Sequence, residues 1–221
     1  MAHATKHTRV NDILLGPLER PALRWLAAHQ PAWMTPDKLT LIGVAGALMI
    51  LAGYWLTQRN LAWLWLANAG FLVNWFGDSL DGTLARYRQI ERPRYGFFVD
   101  HTVDALNTVL IVFGLGLSSL LHFEVAAFAL AGYLLMMVLV YIRTYIDGVF
   151  KISYGKLGPT EVRAMLVTAN TAVIFWGNLY LHSPFGPVSG FDLFVAVVAA
   201  LLFIIYITTV VREARELARL E

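Results

Sequence analysis

Four aspartates, Asp78, Asp81, Asp100 and Asp104, stand close together in otherwise apolar sequence, FGDSLDGTLARYRQIERPRYGFFVDHTVD. A carboxylate in a membrane-like segment costs roughly 2.5–3.5 kcal/mol on insertion scales. Four such costs in one short stretch call for compensating positive charge, and a divalent metal is the natural candidate. The spacing agrees with that chemistry. On a helix, residues three or four apart share a face, so Asp78 and Asp81 form one pair and Asp100 and Asp104 another.

The elements that carry these pairs follow from composition. The chain has 221 residues, 58% hydrophobic and 14% charged. A soluble domain carries about 25% charged residues, so the sequence reads as an integral membrane protein. Cysteine is absent, which excludes thiol catalysis, Cys-ligated zinc and disulfides. The net charge of +2 is too small to argue for nucleic acid. Residues 1–12 are polar and lead into no short apolar run, so no cleavable signal peptide is expected. Apolar stretches of about 20 residues cross a bilayer as helices. Six are expected, over 38–57, 61–81, 97–120, 124–146, 163–182 and 191–211. With the N-terminus inside, every one of the 17 Lys and Arg residues except Arg59 falls on the inner side. That asymmetry orients the chain with both termini cytoplasmic.

Residues 10–34 mix apolar side chains with Glu19, Arg20 and Arg24, and Trp25 and Trp33 suit the headgroup level. An interfacial amphipathic helix is expected there, with an ordinary cytosolic cap helix as the alternative. Pro17 and Pro21 are expected to limit its regularity. The fold class is thus all-α: an interfacial segment at 1–35 and a six-helix membrane domain at 36–221. In this topology span 2 descends to the inner face with Asp78 and Asp81, and span 3 starts there with Asp100 and Asp104. All four carboxylates reach one depth. Gly82 and Ala85 leave room for a ligand, and Arg86 supplies a cation suited to phosphate. Gly43, Gly46 and Gly53 are expected to pack helices.

The stretch reads Asp78-x2-Asp81-Gly82-x2-Ala85-Arg86-x9-Gly96-x3-Asp100-x3-Asp104. It resembles the signature of the CDP-alcohol phosphotransferase family at all eight fixed positions. The segment Thr35 to Thr40, TPDKLT, resembles the P-N-x-x-T element that precedes the first span in many members, with Asp37 where Asn is usual. The resemblance implies transfer of a phospho-alcohol from a CDP-linked donor to an acceptor hydroxyl, with release of CMP. It implies that Asp78, Asp81, Asp100 and Asp104 hold two metal ions, Mg²⁺ or Mn²⁺, and that Asp104 takes the acceptor's proton. It implies that Thr40, Asp78, Gly82, Ala85 and Arg86 contact the CDP donor. It also implies a homodimer, expected through spans 3 and 4, whose small residues include Gly114, Gly116, Ala127, Ala131 and Gly132. The setting implied is phospholipid synthesis in a bacterial inner membrane.

The donor and acceptor stay open between CDP-diacylglycerol with a small polar alcohol and CDP-choline or CDP-ethanolamine with diacylglycerol. Asp100-His101-x2-Asp104 resembles the choline/ethanolamine branch, where His101 would assist proton removal; otherwise His101 is a polar residue at a helix start. Pro93 stands where inositol-branch members often carry Ser or Thr. Lys156, Thr160, Glu161 and Arg163 read either as a solvated loop with a capping Thr160 or as headgroup recognition. His122 and His182 are expected to have no role. A divalent-cation transporter is the competing class, but it would place ionisable groups at mid-membrane, whereas these cluster at one face.

Overall fold

The structure, a computed structural model, describes residues 8–10, 14–147, 149–151, 158–183 and 186–220. Among these residues the chain forms seven helices: α1 (Gly16–Ala28), α2 (Pro36–Leu56), α3 (Leu64–Tyr87), α4 (Pro93–Gly116), α5 (Phe123–Asp147), α6 (Pro159–Trp176) and α7 (Gly190–Leu220). Four of them, α2, α4, α5 and α7, are long and apolar enough to cross a membrane. The remaining two of the expected spans, α3 and α6, carry the buried polar groups Asn68, Asn74, Asp81, Glu161 and Asn170. Short strands accompany the helices. β1 (Thr8–Val10) pairs in parallel with β2 (Val149–Lys151), and β3 (Tyr180–Ser183) pairs antiparallel with β4 (Gly186–Ser189).

The antiparallel pair α2–α3 is the frame. Hydrophobicity cannot drive helices together in lipid, so close packing at small residues must do it. Gly43, Gly46 and Gly53 of α2 lie against α3, and Gly70 and Gly77 of α3 lie against α2. A Cβ on Gly70 would come 2.8 Å from the backbone N of Ile50, and one on Gly46 or Gly77 would run into the partner backbone. Asn74 adds a donor across this seam, from Nδ2 to the carbonyl of Gly43 at 2.9 Å. Toward one end of the pair Ile50, Tyr54, Leu64, Phe71 and Leu120 form the main core, while Leu23, Leu39, Leu80 and Leu84 bury the other end beneath α1.

α1 is a continuous helix despite its prolines. Pro17 falls in the first turn, where its missing N–H is not needed. Pro21 removes one helical bond, and side-chain ties offset that loss. Glu19 Oε1 accepts from Trp75 Nε1 (2.7 Å), Thr160 Oγ1 (2.8 Å) and Ser79 Oγ (3.3 Å). Glu161 accepts from the backbone N–H of Leu15 (2.8 Å) and of Gly158 (2.9 Å). Gly158 therefore caps α6, with Glu161 closing the cap, while the Thr160 hydroxyl reaches α1 instead. Lys156 lies outside the described residues. α6 begins earlier than the expected span and ends earlier, at Trp176, where Gly177 turns the chain at φ +78°. His122 does have a role: its backbone N–H and its Nδ1 each lie 2.8 Å from the carboxylate of Asp192, which caps α7 together with Ser189.

Candidate active site

The α3–α4 hairpin brings the two aspartate pairs together. α3 ends at Tyr87, and Gln89, at φ +57°, then lets the Ile90 N–H close back on the Ala85 carbonyl at 3.0 Å. Arg88 then donates to the carbonyls of Met34 (2.6 Å), Gln30 (2.9 Å) and Pro31 (2.9 Å), fastening the α1–α2 connection to the hairpin. Arg92 pairs with Asp37 and lies 4.0 Å from the Tyr95 ring centre. Both arginines of the loop between α3 and α4 thus hold structure. Asp37, in the TPDKLT element, is engaged with this loop.

The carboxylates sit above this platform. Thr40 Oγ1 donates to Asp81 Oδ2 at 2.6 Å, so the Thr40 expected at the donor site adjoins the aspartates. Asp81 also accepts from the Gly82 backbone N–H at 2.5 Å. Asp78 accepts from Arg163 Nη2 at 2.6 Å, and Arg163 Nε donates to Asn74 Oδ1 at 2.9 Å. The Asp104 carboxyl stands close enough to Asp78 for the two charges to act on each other. On α4, ligand atoms of Asp100, His101 and Asp104 all lie within 4.8 Å of one another, with His101 Nδ1 3.6 Å from Asp100 Oδ2. The His101 ring meets Phe97 edge-on at 4.2 Å and faces Tyr141 at 5.4 Å. Arg86 Nη2 donates to Thr83 Oγ1 at 3.2 Å, and the guanidinium covers Gly82. Ala85 is half-buried one residue before it.

The electrostatics of this cluster are unbalanced. Four carboxylates gather here, and Arg163, paired with Asp78, is one cation in contact with them. Two like charges about 4 Å apart repel by about 4 kcal/mol at an effective dielectric of 20. Hard oxygen donors in that number, with one imidazole, suit Mg²⁺ or Mn²⁺ rather than soft metals. The donor set therefore fits a divalent ion.

Sequence reasoning placed the four aspartates, Thr40 and Gly82 in this neighbourhood, and the structure groups them so. The sequence leaves Arg163 open between solvated loop and headgroup recognition; its largely enclosed pairing with Asp78 takes it out of the solvated loop. Asn74 was missed, although it lies four residues before Asp78 in an apolar run and so shares its face. Tyr133 and Tyr141, which add α5 to the surroundings of Asp104, gave no local signal.

The helices and the site define a membrane-embedded helical protein with an acidic cluster at one end of its central hairpin. Residues 33–214 match the CDP-alcohol phosphatidyltransferase family, and the chain belongs to that family. It is similar to cholinephosphotransferase 1 of Mus musculus, 29% identical over 180 residues, which is 78% of this chain and 44% of the relative. Archaetidylinositol phosphate synthase of Pyrococcus horikoshii is 35% identical over 99 residues, 45% of this chain and 50% of the relative. Phosphatidylinositol phosphate synthase of Cutibacterium acnes is 34% identical over 86 residues, 39% of each chain. The chain spans about half the length of the curated relatives it matches.

Proposed function

We propose that the chain is a membrane-embedded transferase that moves a phospho-alcohol group from a CDP-linked donor to an acceptor hydroxyl and releases CMP. The observation that carries this is the convergence of Asp78, Asp81, Asp100 and Asp104, within the family-matched region, around Arg163 and Thr40. In the reaction the acceptor oxygen bonds to the donor phosphorus, the bond from phosphorus to the CMP oxygen breaks, and the hydroxyl proton passes to Asp104. Gly82 and Ala85 admit the nucleotide closely, and Arg86 holds its diphosphate. Thr40 fixes Asp81, and Arg163 with Asn74 fixes Asp78. Divalent ions, Mg²⁺ or Mn²⁺ and two per site, held by the four aspartates, would neutralise charge developing on the diphosphate.

The phosphatidyl route, with CDP-diacylglycerol as donor to a small alcohol, is one form of this reaction. A second is transfer from CDP-choline or CDP-ethanolamine to diacylglycerol. His101 favours it: the ring stands between Asp100 and Tyr141 beside the proposed base, and the mouse relative is a cholinephosphotransferase. Release of CMP by the purified protein in liposomes, screened over CDP donors and alcohol acceptors, tests the class and selects the pair. No release with any pair would end the proposal.

The membrane arrangement completes the reading. α3 and α6 cross with the other four long helices as six spans, both termini are cytoplasmic, and α1 (in the segment 1–35) lies at the interface with Trp25 exposed. The site then opens to the cytoplasm of a bacterial cell, where the water-soluble partner of either route, CDP-choline or CDP-ethanolamine in one and a small polar alcohol in the other, is at hand. A single Cys at Glu91 should label with an impermeant reagent only after the inner face is exposed; labelling of intact cells would reverse the orientation. We also propose a homodimer through α4 and α5. Gly114, Gly116 and Gly132 do not serve it, because each packs inside the protomer, against Leu51, Ala126 and Phe203 respectively. Ala127 and Ala131 remain exposed four residues apart on α5 and offer the close-packing stripe instead.

A further inference from the structure

Asn107 lies on α4, seven residues after Asp100 and three after Asp104, on the helix stripe that carries both aspartates. It is 4% exposed, and neither Nδ2 nor Oδ1 has a hydrogen-bond partner among the described residues. Its neighbour Thr108 shows what a satisfied polar group does here: the hydroxyl donates to the Asp104 carbonyl at 2.8 Å. A buried amide without partners is costly, and more so at membrane depth, where water does not substitute. Such a group is retained where a ligand completes it.

We propose that Asn107 binds the glycerol-backbone ester of the lipid substrate, on the membrane side of the aspartates. This rests on the transferase reading above. In either form of the reaction the reacting centre is a terminal glycerol oxygen or the phosphorus attached to it. The nearest acyl ester is then a few bonds further toward the chains. Three residues of α-helix advance about 4.5 Å, which carries Asn107 from the level of Asp104 to the level of that ester. The carboxamide N–H donates to the ester carbonyl, and its oxygen accepts from any hydroxyl left on the glycerol. A lipid whose chains are joined by ethers lacks the carbonyl and forfeits the bond.

The test uses the full chain in liposomes and in detergent. Wild-type protein should prefer diacylglycerol-based lipid over its dialkyl ether analogue, in turnover and in retention of the free diglyceride measured by native mass spectrometry. Asn107→Leu should raise the KM for the diester lipid about tenfold, the worth of one hydrogen bond. It should abolish the preference over the ether while leaving the KM for the soluble partner and the metal requirement unchanged. Asn107→Ala serves if the Leu variant melts early. Equal diester and ether retention by wild type, or an unchanged preference in the variants, overturns the proposal whether or not CMP is released. Lost preference in the variants without CMP release from any donor would leave Asn107 as a lipid contact and overturn the transferase reading alone.

Discussion

The helices α2, α3 and α6 hold two polar networks, one toward each end, and they are built on opposite plans. Toward the end that the proposed topology places outside, Tyr54 OH donates to Asn170 Oδ1 (3.1 Å), Asn170 Nδ2 to Asn68 Oδ1 (2.9 Å) and Asn68 Nδ2 to Thr171 Oγ1 (3.2 Å). Every group there is neutral, and Tyr54 and Asn170 are fully buried. Toward the end it places inside, the same helices contribute Thr40, Asn74, Asp78, Asp81 and Arg163, joined by Asp104 of α4. That network is charged, with Arg163 paired to Asp78 among several carboxylates. A closed neutral network fixes helix register and asks for nothing further. An open acidic one leaves charge for cations and ligand to answer, as the proposed chemistry requires.

The largest effect separating the two plans should come from Asp104→Asn. The substitution keeps volume and removes the proposed base, so CMP release should fall at least about a hundredfold with folding intact. Retention of more than about a tenth of wild-type rate would remove Asp104 from the proton-accepting role. Arg163→Gln should destabilise by about 3 kcal/mol in chelator, because it leaves Asp78 without its charge partner, and added Mn²⁺ should recover part of the lost melting temperature. A melting temperature indifferent to Mn²⁺ would mean that Arg163 and metal do not share the cluster. In the outer network Asn170→Leu orphans Tyr54 and Asn68. It should cost about 2 kcal/mol by thermal melting, with turnover per folded molecule unchanged; a turnover loss as large as that of Asp104→Asn would erase the division. The smallest effect lies in the turn that joins the aspartate pairs. Gln89→Gly should stabilise by about 1 kcal/mol, since the left-handed conformation costs glycine nothing. A lower melting temperature would show that the Gln side chain supports the turn.

Much of the inner site was legible because it is local. Two aspartate pairs at helical spacing and a glycine-bearing motif are readable along one chain segment, as are Gly43, Gly46 and Gly53 as contact points on α2. What escaped was set by distance in sequence. Arg163 meets Asp78 across 85 positions and Thr160 meets Glu19 across 141, and neither pairing leaves a periodic trace. The outer network escaped for the same reason, with 116 positions between Tyr54 and Asn170. Pro21 misled because the cost of an interior proline is visible in sequence while the ties of Glu19 and Glu161 are not. Gly132 misled because a small residue signals close packing without naming the partner, here Phe203 of the same protomer.

The central claim, that the inner network is completed by divalent ions, is tested most directly by Mn²⁺ binding to the purified protein, followed by electron paramagnetic resonance. Two ions per protomer should bind to wild type and to Asn170→Leu alike, and binding should be lost in Asp78→Asn and Asp81→Asn. Absence of Mn²⁺ binding in the wild type, or binding unaffected by the aspartate substitutions, would contradict the account.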